Sequence, residues 1–229
     1  MPDEPTTNNM AYDFHTHTFL SDGELLPAEL IRRAIVNGYE AMAITDHASA
    51  SNMERGIAEA LRDCELAREE WGFTALAGVE LTHCPASAIS GLAARAKRAG
   101  AEIVVVHGET VVEPVEPGTN RAAVESPDVD ILAHPGFITV EEAQIAAARG
   151  SFLEISCRRG HSLTNGHVAR VARETGALLL INTDAHSPSD LLNDSFAQTV
   201  ALGAGLSGEE AERALRENPV LLLQRVART

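Results

Sequence analysis

The sequence predicts a single α/β domain, a TIM-barrel-like ring of about seven parallel strands each followed by a helix. Three observations point there. Short apolar runs alternate with helical patterns along the chain, the repeat is a little over ~30 residues, which is the size of a βα unit, and nearly every run ends in a histidine, aspartate or glutamate. No composition break marks a linker in the 229 residues, which suffice for one large core. The expected organisation is a polar leader over residues 1–10 and one domain over 11–229, C-terminal helices included.

In order, Ala11–Phe14 is the first strand, and Pro27–Asn37 is a helix whose Leu30, Ile31, Ala34 and Ile35 share a face and which stops at Gly38. Ala41–Thr45 is the second strand and leads into Asp46-His47, after which Asn52–Trp71 is a long, charge-rich helix. Phe73–Val79 is the third strand, ending at Glu80. A helix over Pro85–Ala99 stops at Gly100, and the β-branched run Glu102–Val106 delivers His107. Gly108–Thr119 holds Pro114, Pro117 and Gly118 and reads as an irregular loop or lid beside the strand ends. Asp130–Ala133 precedes His134-Pro135, Val140–Arg149 is helical, and Phe152–Ile155 runs into Ser156-Cys157-Arg158-Arg159-Gly160-His161. After a helix over Asn165–Thr175, the last strand, Ala177–Asn182, leads to Thr183-Asp184-Ala185-His186. Helices are expected over Pro188–Leu202, Gly208–Arg216 and Pro219–Ala227. Gly203-Ala204-Gly205-Leu206-Ser207-Gly208 spells a dinucleotide fingerprint, but it follows a helix and enters Glu209-Glu210, so it reads as a connector. Val220–Leu223 reads as a helix face buried against the barrel.

Composition narrows the function. The net charge is −15, from 33 acidic and 18 basic side chains, so the overall field repels polyanions. Aromatic residues are only 4%, too few for base-stacking platforms, and no long nucleic-acid partner is expected. A small phosphorylated substrate is still compatible with local positive charge. Cys64, Cys84 and Cys157 are odd in number and widely spaced, which fits a reduced, cytoplasmic chain. No run approaches ~20 apolar residues, so no membrane span is expected.

The strand ends carry the chemistry. In a parallel barrel all strand C-termini lie on one rim, and His15, His17, His47, His107, His134 and His186 would gather there with Asp22, Glu80 and Asp184. His15 and His17 stand at i and i+2, on one face of an extended segment, with Asp22 following in an acidic turn. Neutral imidazoles beside carboxylates suit a borderline ion such as zinc or manganese.

Four separated motifs make the chain resemble the PHP (polymerase and histidinol phosphatase) domain family. They are His15-Thr16-His17-Thr18 with Ser21-Asp22-Gly23, then Thr45-Asp46-His47, then the single positions Glu80, His107 and His134-Pro135, then Thr183-Asp184-Ala185-His186. The resemblance implies a distorted seven-stranded (β/α) barrel holding three divalent metals, zinc, manganese or iron, and hydrolysing phosphoesters. It assigns His15, His17, Glu80 and Asp184 to a first ion, Glu80, His107 and His134 to a second, and Asp22, His47 and His186 to a third. Two such ions about 3.5–4 Å apart share a water and lower its pKa, and the third, with an arginine, neutralises charge on the phosphoryl oxygens. Arg158 and Arg159 are the arginine candidates because a guanidinium fork matches phosphate, and Arg158 is preferred. His161 would orient substrate or shuttle a proton. His83 follows Glu80 closely enough to support it, and His167 is expected to be exposed on its helix. The function so implied is hydrolysis of a small phosphomonoester, with histidinol phosphate the family's candidate. The alternatives are a phosphodiesterase or nucleotidase acting on nucleotides or nucleic-acid ends, and a non-catalytic metal-binding scaffold or regulatory subunit.

Overall fold

In the computed structural model, which describes residues 11–191 and 193–228, seven parallel strands form a nearly closed barrel wrapped by helices. The expected leader, residues 1–10, lies outside the described residues. The strands are β1 (Ala11–Asp13), β2 (Tyr39–Ile44), β3 (Thr74–Leu81), β4 (Ile103–His107), β5 (Ile131–Ala133), β6 (Phe152–Ser156) and β7 (Leu178–Asn182). Each pairs with the next in sequence. A two-residue strand, His47–Ala48, continues past the end of β2 and sets His47 opposite Glu80 on β3. The ring closes at β1 and β7 through a single bridge, Thr16 with Ala185, together with side chains. Asn182 Oδ1 accepts from Phe14 N at 3.0 Å, and Asp13 accepts from Thr183 Oγ1 at 2.5 Å.

Alternation along each strand divides the core. Inward residues Phe14, Ala41, Ala43, Leu76, Ile103, Val105, Ile131, Phe152 and Leu180 pack inside the barrel. Outward residues such as Met42, Ile44, Val104, Leu132 and Leu153 meet the helices. Gly78 is inward, and a Cβ there would lie 2.5 Å from the Ile103 carbonyl oxygen, so the adjacent strand can approach only because the side chain is missing.

The outer helices are α1 (Pro27–Val36), α2 (Met53–Trp71), α3 (Ile89–Arg98), α4 (Thr119–Glu125), α5 (Val140–Arg149) and α6 (Asn165–Thr175). On α2, Met53, Ile57, Ala60, Cys64 and Ala67 recur at helical spacing and supply the buried stripe. Thr139 and Glu142 cap α5 reciprocally. No described helix is long and apolar enough to cross a membrane.

Three expectations need correction. Glu80 lies within β3 rather than beyond it, since the strand runs on to Leu81. The region between the loop and β5 contains α4, whose buried Ala123 and Val124 were hidden by the surrounding breakers. The helix expected over 188–202 is broken into a 3-10 turn, Pro188–Asp190, and α7 (Asp194–Gly203). The Asp190 carboxylate accepts from the backbone of His186 and Ser187 and caps the start of the first piece, Leu191 turns extended after it, and the Asn193 side chain caps the second.

The Gly203–Gly208 stretch is a helix connector, as read, with Ser207 capping α8 (Gly208–Glu212). A π-helical turn, Arg213–Glu217, leads on to α9 (Asn218–Val226), which seals the barrel floor. Leu222 is only 1% exposed and joins the inward cluster of Phe14, Ile103, Ile131 and Phe152, while Asn218 donates to the Leu179 carbonyl at 2.8 Å. Leu222→Ala is expected to cost about 2–5 kcal/mol through the cavity it leaves, read as a lower urea midpoint with an unchanged slope.

Candidate metal centre

The inward positions of the strands change from apolar at their starts to polar at their ends. Glu80, His107, Glu154 and Asn182 occupy the upper positions of β3, β4, β6 and β7, and the chain leaving β1, β5 and β7 adds His15, His17, His134, Asp184 and His186. Two of these residues take strained backbone angles, with φ of 25° at His134 and 54° at Asp184. Neighbouring contacts hold them there: Asn120 Nδ2 donates to the Pro135 carbonyl at 2.8 Å, and the Thr183 hydroxyl accepts from Ala185 N at 3.0 Å.

All nine residues expected from the motifs come together. His15 Nε2 lies 3.2 Å from Glu80 Oε1, and His17 Nε2 lies 3.2 Å from Asp184 Oδ1. His134 Nε2 stands 3.6 Å from Glu80 Oε1 and 3.8 Å from Asp184 Oδ2, so these two carboxylates sit at the middle of the set. Asp22 Oδ1 is 3.3 Å from His186 Nε2 and 3.5 Å from His47 Nε2. His17 was expected to serve only the group around His15 and Glu80, but its ring centre is 4.2 Å from those of both His47 and His186. His17 therefore lies within ligand distance of both groups.

Asp22 reaches this point because the turn before it is pinned. Asp46 accepts from Thr18 N and Thr18 Oγ1 at 2.7 Å each and from Ser21 Oγ at 2.6 Å. Gly23 closes the turn, where a Cβ would meet the His17 carbonyl oxygen at 2.5 Å.

Other site residues carried a weaker signal. Glu154 is fully buried, lies 2.8 Å from His15 Nδ1 and accepts from Asn182 Nδ2 at 3.0 Å. Its sequence signal was a single carboxylate inside an apolar strand. His161 is buried, stacks on His134 at 4.1 Å and groups with His107 and His134 rather than standing apart from the ligand cluster. Its Nδ1 is 2.7 Å from Thr110 Oγ1. Glu113, from the irregular loop, faces His83, His107 and His161. His83 therefore meets Glu113, and no contact to Glu80 places it in support of that carboxylate. His167 is half-buried rather than exposed, with Nε2 2.7 Å from the Ile138 carbonyl oxygen.

The electrostatics follow from burial. Burial alone disfavours a charge on His15, but Glu154, Glu80 and Asp184 outweigh it and hold its pKa well above the ordinary value. Burial likewise opposes ionisation of Glu80, and His15 and His107 reverse that and pull it well below the carboxylate range. His17 is pushed down to about 4, chiefly by burial, as is His161 with the help of His134. Several atoms nonetheless remain buried without a hydrogen bond: His15 Nε2, both ring nitrogens of His17, His134 Nδ1, Glu80 Oε1 and Glu154 Oε1. Each such atom costs about 1–3 kcal/mol when left unsatisfied. Close-packed nitrogen and carboxylate lone pairs that face one another without bonding are the donor set that a divalent cation satisfies.

Beside this cluster lies a cleft of about 440 Å³ lined by Arg158, Arg159, Asp184, His186, Ser189 and Phe196. Arg158 Nη1 donates to the Asp184 carbonyl at 2.9 Å and lies 2.7 Å from His186 Nδ1. Arg159 is exposed at the cleft edge.

The PHP domain model matches residues 13–126. An uncharacterised protein of Methanocaldococcus jannaschii is 54% identical over 218 residues, which are 95% of this chain and 100% of that one. The chain belongs to the PHP domain family. Another relative of this PHP chain is the ribonuclease P protein component 3 of Methanosarcina mazei, 27% identical over 229 residues, 93% of this chain and 89% of that one. The histidinol phosphate phosphatase of Lactococcus lactis, solved with zinc, L-histidinol and phosphate, superposes with a TM-score of 0.59 at 16% identity. The match covers 86% of this chain and 94% of that one, a likeness of fold.

The pinned turn makes a prediction of its own. Asp46→Asn sets an amide against donors that now share a carboxylate, and the metal-free protein is expected to lose about 1–3 kcal/mol, measured by urea denaturation.

Proposed function

We propose that this PHP chain is a metal-dependent phosphoesterase acting on a small phosphomonoester, histidinol phosphate being the first candidate. The observation that carries the reading is the convergence of unbonded, buried imidazole and carboxylate atoms beside Arg158 and an open cleft. Up to three divalent ions, zinc, manganese or iron, would be held by His15, His17, Glu80 and Asp184, by Glu80, His107 and His134, and by Asp22, His47 and His186, with His17 also close to the third set. Such ions supply Lewis acidity, drawing the pKa of a bound water toward neutrality and offsetting charge on the phosphoryl group.

The chain's own side chains do the rest. Glu154 holds His15 by Nδ1, so that Nε2 faces the centre with a fixed tautomer. Arg158, tethered to the Asp184 carbonyl, offers its remaining donors to the non-bridging phosphoryl oxygens. His161, fixed by Thr110 with its Nε2 3.7 Å from Asp184 Oδ2, would help orient the phosphoryl group. The cleft beside Arg158 receives the leaving group, and its volume suits a small molecule.

A second reading, hydrolysis of phosphodiesters in nucleotides or at nucleic-acid ends, draws support from the ribonuclease P component among the relatives. The net charge of −15 favours the small substrate. A scaffold without turnover is disfavoured because all nine ligand positions are filled.

Metal analysis of the purified protein is expected to find bound divalent metal. Phosphate release is expected from histidinol phosphate or another monoester and is expected to vanish in His107→Ala. No metal uptake, even on addition of zinc, manganese or iron, would overturn the enzyme reading, and activity confined to a chromogenic diester would select the second reading. Arg158→Ala is expected to lower kcat by roughly 10²-fold or more, and Arg159→Ala to have a much smaller effect. Equal and negligible losses in a steady-state assay would remove both arginines from phosphate binding.

A further inference from the structure

Past the end of β2 the backbone at His47 is held from two directions. The two-residue strand sets His47 opposite Glu80 and Ala48 opposite Leu81, and Thr82 N donates to the Ala48 carbonyl at 3.1 Å. On the other side Asn52 Nδ2 donates to the His47 carbonyl at 2.9 Å, and Asn52 Oδ1 accepts from Ser49 N at 2.8 Å. With the backbone fixed, the direction of the His47 ring is left to its side-chain partners. Those partners are Glu80 and Thr82, which stand at i and i+2 on one face of the extended chain. His47 Nδ1 lies 2.6 Å from Glu80 Oε2 and 2.7 Å from Thr82 Oγ1.

Donor and acceptor roles follow by elimination. An ionised carboxylate only accepts, so an Nδ1 at 2.6 Å from Glu80 carries a proton, and Nε2 is the ring atom left for an ion. The Thr82 hydroxyl has one proton, which goes to Glu80, either to Oε2 at 3.0 Å or to the carbonyl at 3.1 Å. Its lone pairs then face the His47 N–H. Nε2, at the far side of the ring, looks toward Asp22 Oδ1 at 3.5 Å.

Two acceptors for one N–H matter because Glu80 has a second duty. Its Oε2 also faces His17 Nε2, at 3.9 Å, within the first ligand set. An ion drawing on Oε2 weakens that oxygen as an acceptor for His47. Thr82 Oγ1 belongs to no ligand set and keeps its lone pairs for Nδ1, so the ring stays turned toward Asp22 whatever Glu80 binds.

We propose that Thr82 is a positioning residue for the third cation site, its hydroxyl accepting from His47 Nδ1 and donating to Glu80 so that His47 Nε2 points at the space shared with Asp22 and His186. The proposal rests on the metal-dependent reading above and adds a link between the third ligand set and the carboxylate that serves the other two. Loss of the outer partner of a metal-bound imidazole costs about 10–100-fold in metal affinity. The loss falls on the third ion, because His15 of the first set is held separately by Glu154.

The test is equilibrium dialysis of the full chain against manganese(II), with free ion read by electron paramagnetic resonance. The ion lost in Asp22→Asn marks the third site. Thr82→Val, which keeps the shape and removes the hydroxyl, is expected to bind that same ion about 10–100-fold more weakly and the others unchanged, and Thr82→Ser to restore it. Should Thr82→Val not fold, Thr82→Ala against Thr82→Ser makes the same comparison. Unchanged affinity in the variants without a hydroxyl, or equal weakening in Thr82→Ser, would overturn the positioning role and leave the metal centre intact. Manganese bound with none lost in Asp22→Asn would also sink this proposal alone, whereas no uptake by the unaltered protein of manganese, zinc or iron would overturn both readings.

Discussion

The constraint on which the structure depends is the burial of three carboxylates, Glu80, Glu154 and Asp184, at the mouth of a close-packed barrel. Removing an ionised carboxylate from water is costly unless positive charge or donors lie against it. Imidazoles surround all three: the carboxylates pull His15, His47 and His134 up against burial, whereas burial drives His17 and His161 down. What the surrounding imidazoles leave unmet at the mouth is bonding rather than charge. The unbonded atoms of His15, His17, His134, Glu80 and Glu154 are the structural trace of that need.

Much of the surrounding architecture serves to keep these groups close. The inner barrel below the site is filled by Phe14, Ile103, Ile131, Phe152 and Leu222, which back it with packed apolar side chains. Small inward residues at Ala43, Gly78 and Ala133 leave width for a layer of imidazole rings above them. Strain at His134 and Asp184 is held by hydrogen bonds from residues outside the cluster, which places it where departures from favourable geometry tend to carry function.

The barrel and its rim were largely legible because both depend on local sequence. An apolar run followed by His or Asp is a strand end at any point in the chain, and parallel pairing brings all such ends to one side. What could not be read depends on orientation or on loops. Glu154 was concealed by its position inside a strand, where only the inward parity it shares with Phe152 marks it. The closeness of His17 to His47 and His186 depends on how far the chain turns after β1, which spacing does not encode. Glu113 sits among prolines in a segment with no periodicity, and the clasp of the Glu109 carboxylate on Gly118 N and Asn120 N, with the Glu116 contact to Ala86 N, holds that segment over the site. The break before α7 comes with the Asn193 side chain capping a new helix start, a local competition that helical periodicity does not capture.

The seam between β1 and β7 bears on how the site comes into being. His15 and His17 lie on one side of it and Asp184 and His186 on the other, about 170 positions apart in the chain, and side chains more than backbone ladders hold the two edges together. Contacts of such separation carry the largest loop-closure entropy and form late. The cation-binding constellation is therefore assembled by the same event that shuts the ring. A partly folded chain would offer an ion only fragments of the set, so on the proposed ligand assignment metal capture would be coupled to completion of the fold, and a seated ion would cross-link the two ends of the barrel.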